Sequence, residues 1–195
     1  MTPWLFGLLS ACTFAFVVTY GVENAETQRH NYTLPLKSNK TLYLAGHSTQ
    51  LDNPSIRCVY ATYINSSGES VNRDLWFTEI DVEGEGISDE EWGIPLNMKV
   101  NDTPTFSTLE VEVTWFLTRY TQAQHSYKII NYSDEVMVLG ERQPSESDKP
   151  YCSVWVTDAH NNLTHVSPAI NASIYSDCDN IITYPYLRNC SLELG

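Results

Sequence analysis

The sequence is poor in positively charged residues. Of its 195 residues, 11 are Lys or Arg and 24 are Asp or Glu, which gives a formal net charge of −13. Nucleic acids and anionic membranes attract basic surfaces, so this balance argues against either of them as a partner. It fits a protein that stays dissolved in an extracellular fluid.

The sequence also lacks the short motifs that mark common catalytic and metal sites. It contains no Gly-x-Ser-x-Gly, His-Glu-x-x-His or Cys-x-x-Cys pattern. The five histidines are scattered through the chain, at His30, His47, His125, His160 and His165. We therefore predict no catalytic residues, no cofactor and no metal. A hydrolase triad that is assembled only in three dimensions remains an alternative.

Long apolar runs are absent except at the N-terminus. Residues 4–18 are almost wholly apolar, and no Lys or Arg precedes Arg29. The run is short for a membrane-spanning helix, which needs roughly 20 apolar residues, although a membrane anchor is the alternative interpretation. We predict a secretory signal peptide over residues 1–21, with Ala25 as an alternative cleavage point. The mature protein is then expected to be secreted, soluble and not inserted in a membrane.

Cysteines are few, and their number is informative. Cys12 lies in the predicted leader, so the mature chain keeps four: Cys58, Cys152, Cys178 and Cys190. An even number in an exported chain predicts two disulfides, for which three pairings are possible.

Sequons for N-glycosylation are unusually frequent. The pattern Asn-x-Ser/Thr, with x not Pro, occurs eight times, at Asn31, Asn39, Asn65, Asn101, Asn131, Asn162, Asn171 and Asn189. A used sequon must lie on the surface because the glycan is large and hydrophilic. Eight sequons in an exported chain therefore predict a glycan coat.

The composition provides ample material for a core, since 42% of the residues are hydrophobic and 12 are Tyr. Alternation of apolar and polar residues, with turn signals between, predicts eight short strands. They are residues 42–47, 57–65, 74–82, 94–100, 109–115, 126–132, 135–139 and 151–157.

The C-terminal quarter has a different pattern. Ser167 and Pro168 form a good helix start, and apolar residues then recur at helical spacing to about Cys178. Together with the strands, this predicts an all-β fold, an eight-stranded antiparallel barrel with one C-terminal helix and a cysteine-pinned tail. An immunoglobulin-like sandwich is the alternative, but it leaves the late helix unexplained.

Three stretches of the sequence together resemble one family. They are TLYLAGHSTQLDNPSIRCVYATYINSSGE (residues 41–69), CSVWVTD (152–158) and CDNIITYPYLRNC (178–190). They are similar to tick salivary lipocalins and, within these, to the japanin-like proteins. The general lipocalin signature Gly-x-Trp is absent from the first strand, so the resemblance rests on this subgroup. It implies a lipocalin domain over residues 41–195, after a polar segment, 22–40.

The resemblance implies both the disulfide pairs and a function. The pairs are Cys58 with Cys190 and Cys152 with Cys178. The implied function is that of a secreted salivary lipocalin that binds a sterol, with cholesterol as the expected ligand, and modulates host dendritic cells and inflammatory cytokine output. The implied partners are a small hydrophobic ligand and an unidentified host immune-cell surface protein.

Strand alternation selects the candidate lumen residues. One face of each strand gives Leu75, Phe77, Leu109, Val111, Val113, Trp115, Tyr127, Ile129, Val136, Val138, Val154 and Val156. Adjacent apolar pairs such as Trp76-Phe77 leave the facing ambiguous, because a shift of one residue inverts a strand.

Other functions within the same fold remain open. A scavenger of biogenic amines needs inward carboxylates, for which Glu79 and Asp81 are candidates, whereas Glu110 and Glu112 are expected to face solvent. Inhibition of complement or leukotrienes, and a ligand-free interaction protein with a filled barrel, are further alternatives.

Overall fold

The computed structural model describes residues 32–79, 90–103, 106–141, 149–158, 163, 166–183 and 190. The predicted signal peptide and the sequons at Asn31, Asn162 and Asn189 lie outside these ranges. The strands are β1 (Leu42–Ser48), β2 (Ile56–Ser67), β3 (Ser70–Glu79), β4 (Glu90–Asp102), β5 (Ser107–Val111), β6 (Ser126–Tyr132), β7 (Val136–Glu141), β8 (Cys152–Val156) and β9 (Ile181–Thr183). The helices are α1 (Trp115–Thr121) and α2 (Pro168–Asp177), with 3₁₀ turns at Pro35–Lys37 and Thr49–Leu51.

Strands β1 to β8 form a closed antiparallel barrel. Each strand pairs with the next along the chain, and β1 closes the ring by pairing with both β8 and β2. The short strand β9 lies beside the second half of β1. The predicted eight-stranded antiparallel barrel is therefore confirmed, and β9 forms the beginning of the predicted extended tail.

The approach of β9 to β1 depends on a glycine. Gly46 lies opposite Thr183, and a Cβ atom at position 46 would be 2.8 Å from the carbonyl oxygen of Ile182. Since that contact is with backbone, a side chain at Gly46 would push the two strands apart. The glycine within the LYLAGHS stretch therefore allows the C-terminal strand to join the barrel.

The apolar residues form two separate layers. The first lines the barrel interior and includes Val71, Leu75 and Phe77, which alternate along β3. The second lies between the outer barrel wall and α2, whose Ile170 and Ile174 pack onto β7 and β8. Part of the wall is therefore buried on both faces.

Helix α2 begins where the sequence predicts. The Ser167 hydroxyl accepts a hydrogen bond from the backbone N–H of Ile170 (3.4 Å), and Pro168 occupies the first turn. A disulfide between Cys152 and Cys178 ties the end of the helix to β8, with the two Cα atoms 5.7 Å apart. Chain-entropy estimates assign this bridge about 3.5 kcal/mol.

A second disulfide ties the tail to the barrel. It joins Cys58 on β2 to Cys190, which are 132 positions apart in sequence and have Cα atoms 5.4 Å apart. Both bridges have the pairing that the family resemblance implies. The longer loop gives this bridge an estimated contribution of about 5 kcal/mol.

Helix α1 departs from the predicted structure. Alternation predicted a strand as far as Trp115, but β5 ends at Val111 and the chain turns at Thr114. The Thr114 hydroxyl caps the new helix by accepting from the Leu117 N–H (3.3 Å). Trp115 is consequently 64% exposed and does not face the lumen. In the described ranges, neither α-helix is both long and apolar enough to cross a membrane.

Candidate functional site: the barrel cavity

The barrel encloses a cavity of about 200 Å³. Its walls are mainly apolar and come from strands around the ring; they include Leu75, Leu96, Met98, Leu109, Met137 and Leu139. A concave, mostly apolar lining with a few polar groups is typical of a site for a small molecule. The chain's own side chains therefore leave room inside the barrel.

One end of the cavity is closed by Arg73, which projects inward from β3 and is 1% exposed. Its guanidinium donates hydrogen bonds to five backbone carbonyls, four in the N-terminal segment and one on β2, and so holds the segment across this end of the barrel. The acceptors are Leu36 (3.0 Å), Lys40 (2.9 Å), Ala61 (3.1 Å), Pro35 (3.1 Å) and Ser38 (2.6 Å). Burial lowers the pKa of Arg73 to about 10, so it stays charged at neutral pH. We call this end the closed end.

The opposite end is covered by α1 and the connection between β1 and β2. The Asn53 side chain donates to the Tyr120 carbonyl (3.2 Å), which links the connection to the helix. The Tyr120 ring packs against Phe77 and Trp92, with centroids 5.5 and 5.9 Å away. Tyr120 and Leu117 of α1 both line the cavity. We call this end the open end.

Polar side chains of the cavity concentrate at the open end. His47 donates through Nδ1 to the Ser48 carbonyl (2.9 Å), and its Nε2 is 3.9 Å from Asp52. Glu141 ends β7 and lies opposite Tyr127 of β6 in the sheet register. Burial raises the pKa of the Tyr127 phenol to about 12 and raises the pKa of Glu141. The open end is thus an acidic, partly desolvated region above an apolar chamber.

The raised pKa of Glu141 predicts a pH-dependent effect on stability. A carboxyl whose folded pKa lies above its unfolded value adds stability below the unfolded pKa, and this stability is lost as pH rises through the folded pKa. Glu141→Gln stays neutral, so the ligand-free variant should melt at a higher temperature than wild type at neutral pH and match it in acid. Thermal unfolding across pH measures this difference. The control is Glu135→Gln at an exposed position; a difference for Glu141→Gln that does not change with pH would contradict the expectation.

The structure divides the predicted lumen residues into three groups. Four line the cavity: Leu75, Leu109, Val111 and Tyr127. Three belong to or pack against the interior core without lining the cavity: Phe77, Val113 and Ile129. Five were placed on the wrong side: Trp115, Val136, Val138, Val154 and Val156.

The inner faces of β7 and β8 were predicted wrongly for a clear physical reason. Val136, Val138, Val154 and Val156 pack outward beneath α2, and the lumen is lined by the residues between them, among them Met137, Leu139 and Trp155. Since both faces of these strands are buried, alternation does not identify the inner face. The alternation of Ser153 with valines on β8 pointed to the wrong face for the same reason.

Sequence reasoning also missed polar residues of the cavity. Arg73 precedes the start of the strand predicted from Asp74, although its alternation with Val71 and Leu75 was a usable signal. Glu141 lies just beyond the predicted end of β7. Of the carboxylates considered for an amine site, Glu79 is not part of the cavity lining, Asp81 lies outside the described residues, and Glu110 and Glu112 are exposed.

Metal-binding geometry does not occur in the part of the chain that the structure describes. No group of three or more His, Cys, Asp or Glu side chains there could hold an ion. His47 is the described histidine that lines the cavity, whereas His125 is exposed.

A closed antiparallel barrel of eight strands, with a helix against its wall and an apolar cavity inside, is the lipocalin fold. Japanin from Rhipicephalus appendiculatus is 26% identical to this chain over 163 residues, which are 81% of this chain and 84% of Japanin. The structure of Japanin bound to cholesterol has a TM-score of 0.63 at 25% identity and covers 81% of this chain and 99% of that one. The chain therefore has the lipocalin fold and resembles the japanin-like tick lipocalins over most of its length.

More distant comparisons add little. Lobster apocrustacyanin A1 has a TM-score of 0.43 at 10% identity, over 82% of each chain, which is too remote to support an inference. No protein-family model matches the chain. The relatives that do match are lipocalins, a class of ligand-binding carriers.

Proposed function

We propose that this protein carries a sterol, with cholesterol as the expected ligand, inside its barrel. The main observation in support of this proposal is the apolar cavity that Arg73 closes at one end. A sterol is a rigid apolar body with one hydroxyl, which suits an apolar chamber with polar groups at one end. The solved structure of Japanin is a complex with cholesterol, and this supports the same ligand class here.

Organic extraction of the purified protein followed by mass spectrometry tests the proposal. We expect a sterol in the extract, or binding of added cholesterol by protein that has been stripped of lipid. An amine in the extract would instead favour the acidic open end as the recognition site. Protein that yields no ligand and does not bind added cholesterol would overturn the proposal.

We propose further that the protein is secreted in tick saliva and modulates host immune cells. The apolar leader, two disulfides and similarity to Japanin support this role. The expected result is reduced maturation and reduced inflammatory cytokine release when stimulated host dendritic cells are exposed to the protein. Unchanged maturation with the sterol-loaded protein would contradict the immune role and leave the carrier function intact.

The glycan coat is also part of the proposal, with at least five sequons occupied. Asn39, Asn65 and Asn171 are exposed, which is required for a used site. Asn131 is half-buried, and its Nδ2 donates to the Ser173 hydroxyl of α2 (2.9 Å). A glycan at Asn131 would therefore disturb the packing of α2 against the barrel. Mass loss on glycosidase treatment of protein from eukaryotic secretion measures occupancy; a loss equal to one or two glycans would refute the count.

A further inference from the structure

The two ends of the cavity differ in their capacity to bind a ligand hydroxyl. A guanidinium has five N–H donors and no acceptor. Arg73 directs its Nε, Nη1 and Nη2 groups at the five carbonyls named above, which uses all five donors. Its neighbours in the lining there, such as Leu36, Leu42 and Ala61, are apolar. At the closed end, Arg73 therefore seals the barrel and has no donor left for a ligand.

Several polar groups at the open end already have partners within the protein. Asn53 donates to the Tyr120 carbonyl and accepts from the Ser55 N–H (3.1 Å). The Ser153 hydroxyl accepts from the Trp155 indole N–H (2.9 Å). These bonds shape the open end, and they reduce the capacity of these side chains to hold a ligand.

Glu141 differs from these groups. It lines the cavity and is half-buried, and burial is the cause of its raised pKa. Among the hydrogen bonds of the described residues, none involves its carboxylate. A desolvated carboxylate gains most from a hydroxyl donor that restores a lost hydrogen bond to water.

Glu141 has an aromatic cross-strand neighbour. It faces Tyr127 across the β6–β7 pair, and the Tyr127 hydroxyl accepts from the Gln124 N–H (2.8 Å). That bond helps to fix the position of the Tyr127 ring, which lies beside Glu141 in the cavity lining. A ligand that reaches Glu141 would therefore contact an aromatic face on one side and the apolar chamber below.

We propose that the Glu141 carboxylate accepts a hydrogen bond from the sterol hydroxyl, which places the hydroxyl at the open end and the hydrocarbon tail toward Arg73. This inference rests on the proposed sterol-carrier function and specifies the orientation of the ligand. The opposite orientation would bury the hydroxyl beside a guanidinium that has no donor to offer, at the cost of an unmade hydrogen bond.

Binding of two ligands to two proteins tests the contact. Wild type should bind cholesterol about tenfold more tightly than cholest-5-ene, which lacks the hydroxyl, because one charge-assisted hydrogen bond is lost. Glu141→Ala should bind the two equally, and Glu135→Ala, at an exposed position, should behave as wild type. A tenfold preference for cholesterol that persists in Glu141→Ala would overturn the inference.

A modified sterol tests the orientation independently. Cholesterol that carries a polyethylene glycol chain on its C3 oxygen should enter the barrel tail-first, with the chain leaving through the open end. Binding by wild type supports the orientation, and failure to bind this probe while cholesterol itself binds would overturn it. If wild type binds neither cholesterol nor cholest-5-ene, the sterol-carrier proposal fails, so the two failures are distinguishable.

Discussion

Arg73→Met is expected to lower the free energy of unfolding by about 3 to 5 kcal/mol, because several buried carbonyls lose their hydrogen bonds to one charged donor. The substitution keeps a long apolar side chain in the interior but removes all five guanidinium donors, four of which bond carbonyls of the N-terminal segment. The carbonyls of Pro35, Leu36 and Ser38 would lose their bonds to the guanidinium. Each such loss costs about 1–3 kcal/mol if the group stays buried, and the segment can relax outward to recover part of this.

Urea denaturation followed by tryptophan fluorescence measures the change. Arg57→Met is the matched control, since Arg57 lies on the neighbouring strand β2 but is exposed. The control should change the unfolding free energy by about 0.5 kcal/mol or less. Arg73→Lys keeps the charge with fewer donors and should fall between wild type and Arg73→Met. Equal unfolding curves for Arg57→Met and Arg73→Met would show that the closure does not stabilise the barrel.

Ala123→Trp is expected to weaken sterol binding by about 100-fold, equal to about 2.7 kcal/mol. Ala123 lines the cavity between α1 and β6 and is half-buried, so a large side chain there can occupy the open end. In a cavity of about 200 Å³, an indole displaces much of the space that a ligand needs. Equilibrium binding of cholesterol to lipid-stripped protein measures the effect.

Ala172→Trp provides the matched control for this prediction. Ala172 lies on the exposed side of α2, outside the barrel, and the substitution preserves the Asn171 sequon. Cholesterol binding by this variant should equal that of wild type. Thermal unfolding of both variants shows whether they are folded. Undiminished binding by a folded Ala123→Trp protein would mean that the ligand does not occupy the barrel cavity.

The strands of this fold, and their inner faces, could be predicted from the sequence where one face of the strand is exposed to solvent. On β5, Glu110 is exposed between the buried Leu109 and Val111, so the alternation identified the inner face. The start of α2 was equally readable, because Ser167 and Pro168 form a local capping signal. Such signals depend on near neighbours in the chain and need no knowledge of the tertiary fold.

The same reasoning failed where tertiary contacts decide the structure. Alternation continued from Val111 to Trp115, but the chain turns at Thr114 because a helix there covers the open end of the barrel. On β7, Met137 and Val138 are both fully buried, one inside the barrel and one beneath α2. No local pattern distinguishes these two environments.

The sequence by itself determined the barrel, its C-terminal helix and the absence of common linear catalytic motifs, because strand periodicity and capping are local properties. The scarcity of basic residues also argued against nucleic acids and anionic membranes as partners. It did not indicate what the few basic residues do in the structure. Only the tertiary structure showed that one of those few, Arg73, closes the barrel with five backbone carbonyls. The tertiary structure likewise decided the lumen face of β7 and β8 and the position of Glu141, because these depend on which elements pack on either side of the wall.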